Sequence, residues 1–227
     1  MVILLPLAVL FTGCAHRTNT HITVPPPPVS ESSSETATEK EAGKNAEPEY
    51  METGIAAWYP PYHNRRSANG EVYDGSLLTA AHRTLPLNTV ARITNLQTNH
   101  SVVVRITDRG PFIEGRMLDL SVQAAKQIDV WRTGLALVKL EVLWAPASIE
   151  HGGRWCVQIG AFNSGERATQ FKEELKRRYP TAELLQFPGP AGKWLRIRLK
   201  GDDKERTALM WREITAPEGA AFLTRLD

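Results

Sequence analysis

Residues 101–112, SVVVRITDRGPF, run from an apolar, β-branched segment into an acidic residue and then a Gly-Pro turn. Val and Ile suit a pleated, half-buried surface, so residues 101–106 read as a strand. Asp108 follows directly and stands at the rim of whatever that strand builds, where burial would raise its carboxyl pKa. Residues 54–59, 90–94 and 136–144 also read as strands. In the last, Val138, Leu140, Val142 and Trp144 alternate with Lys139 and Glu141. Residues 95–99 suit the turn of a hairpin, and one short helix is expected from Ser121, as N-cap, to about Ile128. Many short strands with few helices over residues 51–145 predict a small closed barrel.

Outside this region the composition changes. The chain has 227 residues, 42% hydrophobic and 23% charged, enough for one large or two small packed domains. Residues 2–11 are apolar apart from Pro6 and lead into Thr12, Gly13 and Cys14. That run is too short to cross a bilayer as a mature helix and suits the apolar centre of a secretory signal. Gly13-Cys14 at the end of the run resembles a bacterial lipobox, which implies a lipoprotein signal peptide over residues 1–13 and lipidation of Cys14; an ordinary signal with an incidental cysteine is the alternative. Residues 14–50 contain Pro25 to Pro28 and then a Ser, Thr, Glu and Ala mixture, the composition of a disordered tether. With Cys14 consumed, Cys156 is expected to be free and buried. Two cysteines make no disulfide framework, and a net charge of +2 points neither toward nor away from nucleic acid.

Residues 146–153, with Pro146, Gly152 and Gly153, read as a linker. Beyond it come a strand (155–160) and an amphipathic helix (164–178) with Ala168, Phe171, Leu175 and Tyr179 three or four apart. Strands at 182–187 and 194–199, a helix at 203–213 and a strand at 221–226 follow. A β-α-β-β-α-β order over residues 154–227 is the split-βαβ arrangement. This module carries fourteen Lys and Arg against ten Asp and Glu.

Polar chemistry in the middle region gathers in SANGE (67–71), TAAHRTLP (79–86) and ITDRGPF (106–112). Each joins a titratable group to Gly or Pro turn chemistry, which places it at a strand end or loop facing a groove. Asp108, with a raised pKa, would serve as a general acid; equally, it suits a turn in which Asp pairs with an Arg. Asn69-Gly70 suits a tight turn that leaves Glu71 an exposed charge. A lone His82 is structural or catalytic. His63, His82, His100 and His151 lack ligand spacing, so neither zinc nor another cofactor is expected.

GIAAWY (54–59), the ANGE ending at Glu71, LTAAHRTLP (78–86), residues 102–112 and DLS (119–121) together resemble the double-psi β-barrel of the rare lipoprotein A family. WCVQIGAF (155–162) and the helix after it resemble the start of a SPOR domain. The resemblance implies a mainly β chain: a six-stranded double-psi barrel, then a small split-βαβ, RNP-like SPOR domain in α+β style. It implies lytic transglycosylase activity on glycan strands stripped of stem peptides, with the SPOR domain binding such denuded glycan at division sites. It further implies an outer-membrane lipoprotein facing the periplasm, anchored through acyl chains on Cys14. A monomer with divisome proteins as partners and no nucleic acid completes the expectation. WYPPYHNR (58–65) departs from the family pattern in a segment expected to line the groove.

The family's catalytic positions fall on Asp108, Glu71 and His82. Asp108 would protonate the glycosidic oxygen and then accept the proton of the MurNAc C6 hydroxyl as it attacks C1. Glu71 would stabilise the oxocarbenium-like state or orient the sugar, and His82 would hold a carboxylate in place. Tyr59, Asn69 and Arg109 are the candidate sugar contacts on the barrel, and Gln158, Arg196 and Arg198 those on the C-terminal sheet. Trp194 is a stacking platform or core. Two rival readings stand: a barrel that grips glycan without cutting it, and a hydrolase that uses two carboxylates and a water.

Overall fold

The computed structural model describes residues 50–60, 65–189, 191–201 and 203–227. The expected signal peptide, lipidated Cys14 and nearly all of the tether lie outside these residues, as do positions 61–64 of the departing segment. No described helix is long and apolar enough to cross a membrane.

The first module is a closed barrel of six strands. These are β1 (Met51–Trp58), β2 (Thr79–His82), β3 (Val90–Asn95), β4 (Ser101–Asp108), β5 (Arg116–Leu120) and β6 (Leu135–Trp144). Around the barrel the order is β1-β5-β2-β4-β3-β6. The pairs β1·β5 and β2·β4 are parallel and the other four antiparallel, so the chain crosses itself twice. Closure removes every free sheet edge. The interior holds Ala56, Ala80, Ala91, Ile93, Val104, Ile106, Leu118 and Leu140, all essentially inaccessible.

The expected strands are present: three are extended by one or two residues, and the first begins three residues earlier and ends before Tyr59. β2 and β5 were not expected. TAAH is short and alanine-rich, and RMLDL carries two charges, so neither has the composition that marks a strand. Pairing on both sides makes them strands. Trp144 also departs from expectation: Val138, Leu140 and Val142 are buried, but Trp144 is 57% exposed. The β3·β6 register shifts between Val90 and Ala91, and Trp144 ends the strand beyond the core. Ser121 caps the helix α1 (Val122–Gln127) as expected, its hydroxyl accepting from the Ala124 N–H. A second short helix, α2 (Val130–Thr133), follows.

The C-terminal module has the expected split-βαβ order: β7 (Trp155–Phe162), α3 (Gly165–Arg178), β8 (Glu183–Gly189), β9 (Gly192–Arg198), α4 (Lys204–Glu213) and β10 (Ala220–Arg225). Its antiparallel sheet runs β10-β7-β9-β8. Ser164 and Asp203 cap α3 and α4 by accepting from Arg167 N and Arg206 N. Phe171 and Leu175 of α3 and Met210 of α4 bury against Val157, Ile159, Leu195 and Ile197 on one sheet face. The linker is held by Arg225, 1% exposed, which donates to Ser148 O at 2.7 Å. Cys156 is free and buried, and burial pushes its thiol up to about 11.

The other face of that sheet meets the barrel. Phe112 packs on Trp194 and Phe222 with ring centroids 5.5 and 5.7 Å apart, and Arg83 lies over Phe222. Main-chain bonds join the modules: Arg225 N to Arg83 O at 2.9 Å and Leu87 N to Asp227 O at 3.1 Å. Trp194 reaches this junction because Gly160 and Gly189 leave it room; a Cβ on either would stand 2.7 or 2.5 Å from its ring.

Candidate active site

The site begins with the end of β4. Ala81 on β2 pairs with Asp108 on one side and with Asp119 of β5 on the other. Residues directly opposite across strands point to one face, so both carboxylates flank the small Ala81 side chain at one barrel end. A groove of about 550 Å³ opens there, lined by Trp58, Tyr59, Ala81, Asp108 and Asp119 of the barrel and by Trp194 of the second module.

Asp108 is held firmly. Its Oδ1 accepts from Ala68 N at 3.0 Å and from its neighbour Arg109 N at 2.8 Å, while Oδ2 faces Arg65 at 3.7 Å. Its side chain is 13% exposed. Burial raises its pKa, against the lowering effect of those N–H groups and of Arg65 and Arg109. A fixed carboxyl that keeps its proton more readily than an exposed one has the properties of a general acid. Asp119 is buried too, but paired with a cation. Burial raises its pKa against Arg116, whose Nη2 donates to Asp119 Oδ1, and the Asp108 charge adds to the rise. Sequence reasoning missed Asp119 as a site residue. It sits in RMLDL without Gly or Pro, and only its pairing with Ala81 brings it to Asp108.

Tyr59 lines the same groove with its ring 4.7 Å from Tyr73. Its hydroxyl is buried and has no hydrogen bond among the described residues; burial and the Asp108 charge push its pKa up. Arg109 also borders the groove, but its guanidinium donates to His82 O at 3.0 Å and Asp227 O at 2.6 Å. Burial brings Arg109 down to about 10. Its bonds tie the end of β4 to both modules and are not directed at the groove.

Glu71 and His82 are placed differently from Asp108. Glu71 is half exposed and accepts both Arg105 nitrogens, Nη1 at 2.9 Å and Nη2 at 2.7 Å. That bond holds its pKa below the ordinary value. Asn69 joins the same cluster: its Oδ1 accepts from Glu71 N, and its Nδ2 donates to Asn88 Oδ1. The cluster fastens the loop whose Ala68 N–H holds Asp108. His82 is 3% exposed. Its Nδ1 accepts from Thr84 N at 3.2 Å and Leu85 N at 3.1 Å, which leaves Nε2 to carry the proton and donate to Glu52 at 3.2 Å. Burial lowers the His82 pKa, which favours the neutral ring that an accepting Nδ1 requires. It does hold a carboxylate, but that of Glu52, and it does not line the Asp108 groove.

On the C-terminal sheet, Gln158 is 4% exposed and accepts from Arg196 Nη2 at 3.1 Å. Arg196 lies over the Phe187 ring at 5.2 Å. Arg198 pairs with Glu183 at 3.6 Å, away from the groove. Trp194 is 4% exposed and packed at the junction. Among the described residues no three His, Cys, Asp or Glu side chains converge as a metal site requires.

Comparison with known proteins bears on this geometry. Residues 51–140 match the family described as lytic transglycolase, and residues 151–212 match the SPOR domain. An endolytic peptidoglycan transglycosylase RlpA of Campylobacter jejuni is 43% identical over 136 residues, 49% of this chain and 50% of the relative. A probable one of Synechocystis is 53% identical over 91 residues, covering 40% of this chain and 28% of that protein. The RlpA of Helicobacter pylori strain 26695 is 36% identical over 156 residues, 56% of this chain and 50% of the relative. The chain thus spans half or less of the length of these relatives. Among solved structures, the Streptomyces papain inhibitor aligns with a TM-score of 0.36 at 16% identity, covering 43% of this chain and 97% of that one. The six-stranded barrel thus matches the lytic transglycolase family and the split-βαβ module matches the SPOR domain.

Proposed function

We propose that this chain is a lytic transglycosylase of peptidoglycan glycan strands, with Asp108 as its acid and then its base. The observation that carries the reading is the Asp108 carboxyl: buried, fixed through Oδ1 by two N–H groups, raised in pKa and open to a groove. Protonated Asp108 donates to the oxygen linking MurNAc to the next GlcNAc, and that C–O bond breaks. The resulting carboxylate takes the proton of the MurNAc C6 hydroxyl while its oxygen bonds to C1. The leaving GlcNAc gains a hydroxyl, the MurNAc closes a 1,6-anhydro ring, and Asp108 ends protonated. No water is consumed, so the second carboxylate that activates water in an ordinary hydrolase is not required. Asp119, paired with Arg116, lends negative charge to the oxocarbenium-like state. Glu71 and Asn69 act through the loop that holds Asp108.

The names of the relatives agree with this activity, and the SPOR match supports recruitment to septal wall. A lipid anchor on Cys14, with residues 14–50 as tether, would hold the enzyme to the outer membrane while its domains reach the wall. Mass spectrometry of products from peptide-free peptidoglycan is the test. Soluble fragments ending in 1,6-anhydroMurNAc are expected. Reducing ends would turn the case to hydrolysis, and intact strands that sediment with the protein would turn it to binding alone.

A further inference from the structure

The groove at Asp108 does not stop at the barrel. Asp108, Arg109, Phe112 and Trp194 border a second compartment of about 590 Å³ beside the first. One wall is barrel, through Arg65, Arg66 and Ala68; the other is the C-terminal sheet, through Gln158, Phe187 and Arg196. The candidate acid therefore stands at a junction with room on both sides, as cleavage within a polymer demands.

The charge of the second compartment is one-sided. Among the described residues four arginines border it (Arg65, Arg66, Arg109 and Arg196) against one carboxylate, that of Asp108. Arg109 is committed to main-chain oxygens and Arg65 lies against Asp108. Arg66 gives one nitrogen to Gly70 O and is otherwise exposed. Arg196 gives Nη2 to Gln158, and its Nε is buried with no hydrogen bond among the described residues. Guanidinium groups recognise planar carboxylates through paired N–H bonds, and Phe112 and Phe187 offer apolar surface for a sugar ring. MurNAc carries a lactate ether whose carboxyl is a neutral amide while the stem peptide is attached and an anion once it is removed.

We propose that this compartment, built by both modules, is a subsite for a MurNAc bearing a free lactate carboxylate, read by Arg196 from the sheet and Arg66 from the barrel. Selection for peptide-free strands then occurs by charge, next to the bond that is cut. The proposal rests on the glycan-cleavage reading and adds to it a residue-level basis for substrate choice.

The test is a binding titration of the full chain carrying Asp108→Asn, so that no strand is cut. The ligands are peptide-free glycan oligomers and the same oligomers with lactate carboxyls converted to methylamides. The charged oligomers are expected to bind roughly tenfold tighter, the scale of one charge-assisted hydrogen bond. The exposed Arg66→Gln should remove most of that preference while leaving methylamide binding unchanged, and Arg196→Gln should independently remove most of the preference. Equal affinity for the two ligands, or variants that weaken both alike, overturns the proposal. If the unmodified chain makes no anhydro ends yet keeps the preference, the cleavage reading falls and the subsite stands.

Discussion

Asp108 and Glu71 occupy neighbouring parts of the barrel yet differ in almost every physical respect. Asp108 ends β4 with a side chain 13% exposed; Glu71 lies on the loop above with 51%. Burial drives the first pKa up, and the Arg105 bond drives the second down. One carboxyl keeps its proton more readily than an exposed one, whereas the other is committed to a neighbouring guanidinium. The loop joins them, because Ser67 N bonds to Glu71 O while Ala68 N bonds to Asp108. On the proposed function, two acids nominated by the same family pattern divide into an acid and its fastening.

The largest effect should come from Asp108→Asn. Asparagine keeps the Oδ1 acceptor and removes the proton, so cleavage should fall by roughly 10³-fold or more, within the usual range for general acid–base catalysis. The fold should not suffer. A carboxyl whose pKa is raised on folding favours the native state only when protonated, and that contribution is lost as pH rises through the folded pKa. At neutral pH the ionised group opposes folding, so the melting temperature of the variant should hold or rise. For the same reason the wild-type rate should decline on the alkaline side of Asp108's raised pKa. An active Asp108→Asn protein would end the comparison. Asp119→Asn should cost roughly 10²-fold in rate, the scale of one electrostatic group at a developing charge. A variant as fast as wild type would leave Asp119 a structural partner of Arg116.

Much of this architecture was legible in the chain. β4, β6 and the whole β-α-β-β-α-β order announce themselves through β-branched runs, a helical period of three and four, and Ser and Asp caps. β2 and β5 do not, because four and five residues of Ala, Arg and Asp carry no strand signal until neighbours on both sides pair with them. The site divides the same way. Asp108 is marked by the apolar strand before it and the Gly-Pro after it. Asp119 and Glu52 are functional or structural only through partners far away in sequence, Ala81 and His82. The sugar contacts expected on the C-terminal sheet met a contact that composition does not encode: Trp194 is covered by Phe112 at the barrel junction.

His82 tests the interior side of the barrel. Replacing it with Ala leaves Thr84 N–H and Leu85 N–H without their acceptor and Glu52 without its donor. The expected loss is about 2–4 kcal/mol of stability, seen as a lower denaturation midpoint. Its pH signature is specific. Burial lowers the His82 pKa in the folded state, so stability is present above the unfolded value of about 6.5 and is lost as pH falls below it. Glu52 adds to this only at more acid pH: burial pushes its pKa up, but the His82 and Tyr50 bonds outweigh that and hold it below the ordinary 4.5, so its share survives down to pH 5. Wild-type protein should therefore lose stability from pH 7 to 5 more steeply than His82→Ala. Parallel slopes would show that the ring is protonated in the fold.

The smallest effect discriminates most finely. If Glu71 touches the sugar, Glu71→Gln should impair cleavage while Arg105→Gln spares it. If Glu71 only fastens the loop, both variants break the Glu71–Arg105 pair, and Arg105→Gln, which also loses its bond to Asn88, should do at least as much harm. Exposed ion pairs contribute no more than about 1 kcal/mol, so each rate should fall by at most ~5-fold. The double variant should be no worse than Arg105→Gln alone, since contacting residues that share one interaction do not add. The pH–rate profile sharpens the test further. Loosening the Ala68 N–H from Asp108 removes one of the bonds that lowers its pKa. In Glu71→Gln the alkaline decline should therefore shift to higher pH, toward a still more reluctant acid. A rate loss with an unshifted profile would assign Glu71 to the substrate and not to Asp108.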